Sequence, residues 1–116
     1  MPFHFHSVSE VREERTILVP SHLENKAALL VFLAQAIPLP DYFGKNWDAL
    51  EECLADLSWL PGSKLTLEHE ELPLKREPTN QQSYLLVLAS AAKEEPNLRV
   101  VFPERCREEV ARLLAI

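Results

Sequence analysis

Pro40-Asp41-Tyr42-Phe43-Gly44-Lys45-Asn46-Trp47-Asp48-Ala49-Leu50-Glu51-Glu52-Cys53-Leu54 is the stretch on which the reading of this chain turns. Gly44 is one of only two glycines in the chain. It reads as a turn residue supplying a backbone conformation closed to residues with a Cβ, and it sets the angle at which the next segment leaves. From Trp47 to about Leu57 the apolar residues follow a helical period. At about 100° per residue, Leu50, Cys53, Leu54 and Leu57 fall within roughly a third of the circumference. Asp48, Glu51, Glu52 and Asp56 fall on the opposite side, with Trp47 at the border. The apolar stripe is expected to face a core and the carboxylates to face water or a partner. Asp48 lies in the first turn, where the helix dipole favours an anion. Like charges four residues apart, such as Asp48 and Glu52, cost an isolated helix a few tenths of a kcal/mol. A rigid negative surface of this kind fits a protein that binds something positive.

The whole chain agrees. It has 116 residues, 18 acidic against 12 basic, a net charge of −6 and 47% apolar residues. That composition suits a single globular domain, 1–116. It argues against nucleic acid, whose phosphates require Lys and Arg, and it favours steering toward a basic protein. The two cysteines, Cys53 and Cys106, form neither a disulfide framework nor a metal site and read as buried thiols. Met1–His6 lacks a basic region followed by a long apolar run, so a cytoplasmic location is expected and a signal peptide is not. The apolar stretch from Ala27 to Ile37 is too short to span a bilayer.

Outward from the acidic helix, strands and helices alternate. Residues 3–8 alternate apolar and polar in the manner of an edge strand. Thr16–Val19 is a strand ended by Pro20. These two either form a hairpin, or only the second joins the main sheet. A first helix covers 25–37, capped by Asn25 or started earlier by Ser21 with Glu24, and its nearly all-round apolar character predicts that it is well buried. Pro38 and Pro40 stop it. Lys64–Glu68 alternates as a strand, and 69–80 is a polar connection with room for a short helix. Thr79 and Gln82 form a capping box for a helix to about Glu95, with Tyr84, Leu85, Leu88, Ala91 and Ala92 inward. Leu98–Phe102 is a strand, and Pro103 opens a last helix over 104–114 with Cys106, Val110, Leu113 and Leu114 as its stripe. The order predicts an α/β fold with parallel strands joined by helical crossovers.

The ungapped run Leu39-Pro40-Asp41-Tyr42-Phe43-Gly44-Lys45-Asn46-Trp47-Asp48-Ala49-Leu50, followed by Cys53-Leu54, resembles the barstar family of inhibitors of secreted microbial ribonucleases. Weaker matches follow at Leu65–Glu68 and Ala92–Glu95, giving a family core of about 16–102. The resemblance implies a three-stranded parallel sheet flanked by helices, to which this chain adds an N-terminal edge strand and a C-terminal helix. It implies an inhibitor, not an enzyme, that plugs the active site of a barnase-type ribonuclease without cofactor or metal. It also implies immunity to a toxic enzyme as the biological role; a monomer is expected rather than a homo-oligomer. By position, Tyr42, Asn46, Trp47 and Asp48 match interface residues. Glu52 matches the acid that enters the phosphate pocket, one methylene longer than the Asp of the best-known member. Glu51 stands where a tryptophan can sit and Asp56 where a glycine is common. Leu88 and Ala91 match contact positions on the later helix, Ala91 in place of an acid. The rival reading is an acidic interaction module for a basic protein that is not a nuclease.

Other candidate chemistry is weak. His4, His6, His22 and His69 lack the spacing of zinc ligands and read as solvated or edge-strand residues. Glu68, Glu70 and Glu71 have no nucleophile or oxyanion donor beside them. Residues 103–116 read as packing against the sheet, or else as a surface for dimerisation or for a second partner.

Overall fold

The computed structural model describes residues 3–6, 15–39 and 46–115. Its strands are β1 (His4–His6), β2 (Arg15–Val19), β3 (Leu65–His69) and β4 (Leu98–Pro103). Its helices are α1 (Lys26–Ala36), α2 (Trp47–Leu54), α3 (Pro78–Glu94) and α4 (Arg107–Leu114), with 3-10 turns at Leu57–Trp59 and Glu104–Cys106. The strands form one sheet in the order β1-β4-β3-β2, parallel throughout. The expected α/β fold is therefore present, with the N-terminal strand and the C-terminal helix both in place.

The strand alternation explains the layering. Val19, Leu65, Leu67, Leu98, Val100 and Phe102 join one apolar core with Leu29 and Leu33 of α1, Leu50 and Leu54 of α2, Tyr84, Leu85 and Leu88 of α3, and Val110 of α4. Thr66, Glu68 and Arg99 fall on the opposite face, which is polar apart from a half-exposed Leu18 and the buried Val101. A parallel sheet covered on both faces reads as a continuous apolar run, whereas β3 alternates strictly because a single face is packed on the core.

Three expectations need correction. First, β1 and β2 neither pair with each other nor leave one strand outside: they occupy opposite edges of the sheet. β1 pairs in parallel with β4, and this seats the Phe3 and Phe5 rings 5.3 and 6.3 Å from that of Phe102. Second, α1 is not buried all round. Leu29, Leu30 and Leu33 are buried, but Val31 is 41% exposed, so one side of the helix faces outward despite its apolar composition. Third, α3 begins one residue before Thr79, with Pro78 in its first turn and no side-chain cap. Proline's fixed φ suits that position, and its missing N–H is one that the helix leaves unpaired anyway.

The remaining ends follow local chemistry. Asn25 caps α1, its Oδ1 accepting from Ala28 N at 2.8 Å. Cys53 and Cys106 are free and buried, as expected. The segment 103–114 packs on the fold: Val110 is fully buried, and Gln82 Nε2 of α3 donates to Leu113 O at 3.0 Å. Cys106 Sγ donates to Glu71 Oε1 at 3.0 Å, and Arg105 Nε donates to the other oxygen at 3.0 Å. Burial opposes charge on Glu71, but bonds from Cys106, Leu72 N and Arg105, with Lys75 nearby, bring its carboxyl down to about 2. Burial and the adjacent carboxylate push the Cys106 thiol up to about 11, which favours the protonated thiol over the nucleophilic thiolate.

Candidate functional site: the acidic helix

α2 is made rigid before it is made acidic. Asn46 is its N-cap, with Oδ1 accepting from Ala49 N at 2.8 Å. Leu50, Cys53 and Leu54 are buried beneath it, as the period requires. The C-terminal end is tied down twice. Trp59 Nε1 donates to Cys53 O at 2.9 Å, and Leu57 N donates to Glu95 Oε1, at the end of α3, at 2.9 Å. The helix ends at Leu54, earlier than its period suggests, because Asp56 caps the following 3-10 turn by accepting from Ser58 N at 3.0 Å.

The four carboxylates are consequently not equivalent. Asp48 and Glu52 are exposed, one turn apart on the same ridge, and neither takes part in a capping bond. Glu51 is half-buried, and its Oε2 accepts from Ser90 Oγ of α3 at 2.7 Å. Asp56 is exposed, but its carboxyl is held below its ordinary pKa by bonds from Ser58. Two of the four thus brace the helix, and two present charge. No basic residue lies in α2.

Trp47 is a packing residue at the helix entrance. Its Nε1 donates to Asn80 Oδ1 at 3.2 Å, and its ring centroid lies 5.9 Å from that of Tyr84. Lys26 Nζ sits 5.3 Å from the indole ring, a cation–π distance. Glu77 Oε1 completes the clamp, accepting from Lys26 N at 2.9 Å and from Asn80 Nδ2 at 3.1 Å. No local pattern could reveal this clamp or the Ser90 brace, since the partners lie 33 and 39 residues apart.

Leu88 must be withdrawn from the site. It is fully buried in the core, as is Ala91, and so neither offers a partner any surface. Tyr42 and Gly44 lie outside the described residues. His69 also departs from its reading: β3 runs one residue further than expected and turns His69 into the core, 3% exposed. Its ring bridges Val101 O at 2.9 Å and Tyr84 Oη at 2.6 Å and stacks on Phe102 with centroids 4.1 Å apart. A signal was present. Leu65 and Leu67 point inward, so the same alternation carried on puts 69 inward, opposite an inward Tyr84 whose hydroxyl needs a partner.

Among the described residues, no three His, Cys, Asp or Glu side chains are grouped to hold a metal ion. None of their helices is long and apolar enough to cross a membrane. The family model for barstar, described as barnase inhibitor, matches residues 16–103. No curated protein matches the chain at a significant level.

Proposed function

The chain belongs to the barstar family, and from that premise we propose that it inhibits a barnase-type ribonuclease by seating the acidic ridge of α2 in the enzyme's active site. Family membership supports the general role of a ribonuclease inhibitor. The observation carrying the specific reading is the division of labour on α2: Asn46 and Glu51 fix the helix, leaving Asp48 and Glu52 exposed. Like charges one turn apart cost the free protein a few tenths of a kcal/mol. They gain a purpose if Arg, Lys or His of the enzyme lie opposite them. A ribonuclease site is shaped for phosphates, and two carboxylates on a rigid helix present similar charge and acceptors. Tyr42 and Gly44, which precede the helix in the sequence, belong to the same contact by their match to the family motif.

Inhibition of this kind is steric and electrostatic, with no covalent step. The net charge of −6 adds long-range attraction to a basic enzyme. The cytoplasm of a cell exposed to such an enzyme, its own or a neighbour's, is where this protection would act. The absence of an acid at Ala91 is no argument for a non-nuclease partner, because that residue is in the core.

The test is a calorimetric titration of the protein into a barnase-type ribonuclease with RNA cleavage assayed in parallel. Stoichiometric binding that stops cleavage is the expected result. Binding without loss of cleavage, or no binding, would overturn the inhibitor reading and favour an interaction module for another basic protein.

A further inference from the structure

We propose that His69 is a positioning residue for the acidic helix: while its imidazole is neutral it anchors Tyr84, and through Tyr84 and Trp47 it sets the start of α2. This inference rests on the reading of α2 as the binding helix, but it concerns residues in the core. Val101 O can only accept, so His69 Nδ1 carries the proton in the bond between them. Nε2 is then a lone pair, and Tyr84 Oη must donate to it. The tautomer and the direction of the phenol hydrogen are thus fixed by a backbone carbonyl of β4. The Tyr84 ring in turn supports Trp47, the first residue of α2, whose indole is held on its other sides by Asn80 and Lys26.

A proton added at Nε2 would set donor against donor across a 2.6 Å contact. The phenol hydrogen would have to turn away, into a site where every buried side-chain nitrogen and oxygen among the described residues already has a partner. Tyr84 can relieve this only by moving its ring, and Trp47 rests on that ring. Burial keeps the imidazole neutral by pushing its pKa down to about 4.

The groups packed around this chain are few. β4 gives His69 the Val101 carbonyl and the Phe102 ring; the paired residue on β2 is Val19; α3 gives Tyr84, whose own ionisation burial pushes far up. On its own segment, Glu68 points to the opposite face, Glu70 accepts from Ser21 N, and Glu71 is engaged by Cys106 and Arg105. At the Trp47 end stand Lys26, Glu77 and Asp48. Those two carboxylates are the competing cause of any acid response at Trp47, so the test must separate them from His69.

The experiment is an NMR titration of the free protein, following the His69 Cε1–H and the two indole Nε1–H signals in wild type, His69→Gln and Tyr84→Phe. In wild type the Trp47 indole is expected to move with the His69 midpoint while the Trp59 indole does not. His69→Gln can still accept from Tyr84 but cannot titrate, so its Trp47 signal should stay flat through that range. In Tyr84→Phe, His69 should titrate without Trp47. A Trp47 midpoint that survives in His69→Gln assigns the response to Glu77 or Asp48 and overturns the proposal. So does loss of all native signals together as His69 protonates. A second arm measures affinity for the ribonuclease at neutral pH. His69→Phe, which leaves the Tyr84 hydroxyl unpaired, should weaken binding about tenfold, and His69→Gln should restore it. Equal affinity of all three folded proteins contradicts the proposal. A ribonuclease that binds none of them refutes the partner reading alone, and the free-protein titration still decides the role of His69.

Discussion

The acidic residues of α2 divide by what their oxygens touch, and this yields the sharpest expectations. Asp48→Ala and Glu52→Ala remove exposed carboxylates lying away from the apolar stripe. Each should weaken ribonuclease binding severely while stability in urea shifts by no more than about 0.5 kcal/mol, the usual bound for surface positions. Glu51→Ala should behave in the reverse manner. It loses the bond to Ser90, costing about 1 kcal/mol of stability, with a smaller effect on binding. His69 governs a different observable. Its folded pKa of about 4 lies below its ordinary 6.5, so the unfolded chain takes up the proton first. The stabilisation is complete above pH 6.5 and is lost as pH falls toward 4. Between pH 7 and pH 5 the protein should lose about 2 kcal/mol, measured by denaturant melts, and His69→Gln should abolish that slope. Glu71, with its carboxyl down at about 2, acts only in a more acidic window.

At the scale of elements, α2 is a short helix whose stability comes from what lies under it and at its ends. Leu54 is fully buried, and Leu54→Ala should cost ~2–5 kcal/mol in chemical denaturation. It should alter target affinity only as far as it unfolds the protein. The same element shows what sequence can reveal. The stripe of Leu50, Cys53 and Leu54, the exposed Asp48 and Glu52, and the helix following each internal strand were all legible, because each rests on a local period. The sheet order was not. Whether β1 pairs with β2 or crosses to β4 depends on Phe3 and Phe5 meeting Phe102, about a hundred residues away. The braces of α2 were illegible for the same reason, since Asn80, Ser90 and Glu95 are distant in the chain. Leu88 failed as a site residue because the match by position to the family's contact residues took no account of the helical period, which places it inward.

The whole molecule is a layer of helices on a four-stranded parallel sheet, with negative charge projecting from the exposed side of α2. Net charge and local carboxylates act over different ranges. The first raises the association rate and is screened beyond about 8 Å at physiological ionic strength. The second acts within the contact and resists salt. Stopped-flow mixing with the ribonuclease should therefore show association slowing steeply with added salt, while dissociation changes little. The central claim is that Asp48 and Glu52 are the charges that meet the enzyme. Its most direct test is the dissociation constant of the Asp48→Ala/Glu52→Ala double variant for a barnase-type ribonuclease, measured beside wild type on protein shown to be equally stable. The expected result is a loss of several orders of magnitude, with RNA cleavage restored. Equal affinity of the two proteins would contradict it.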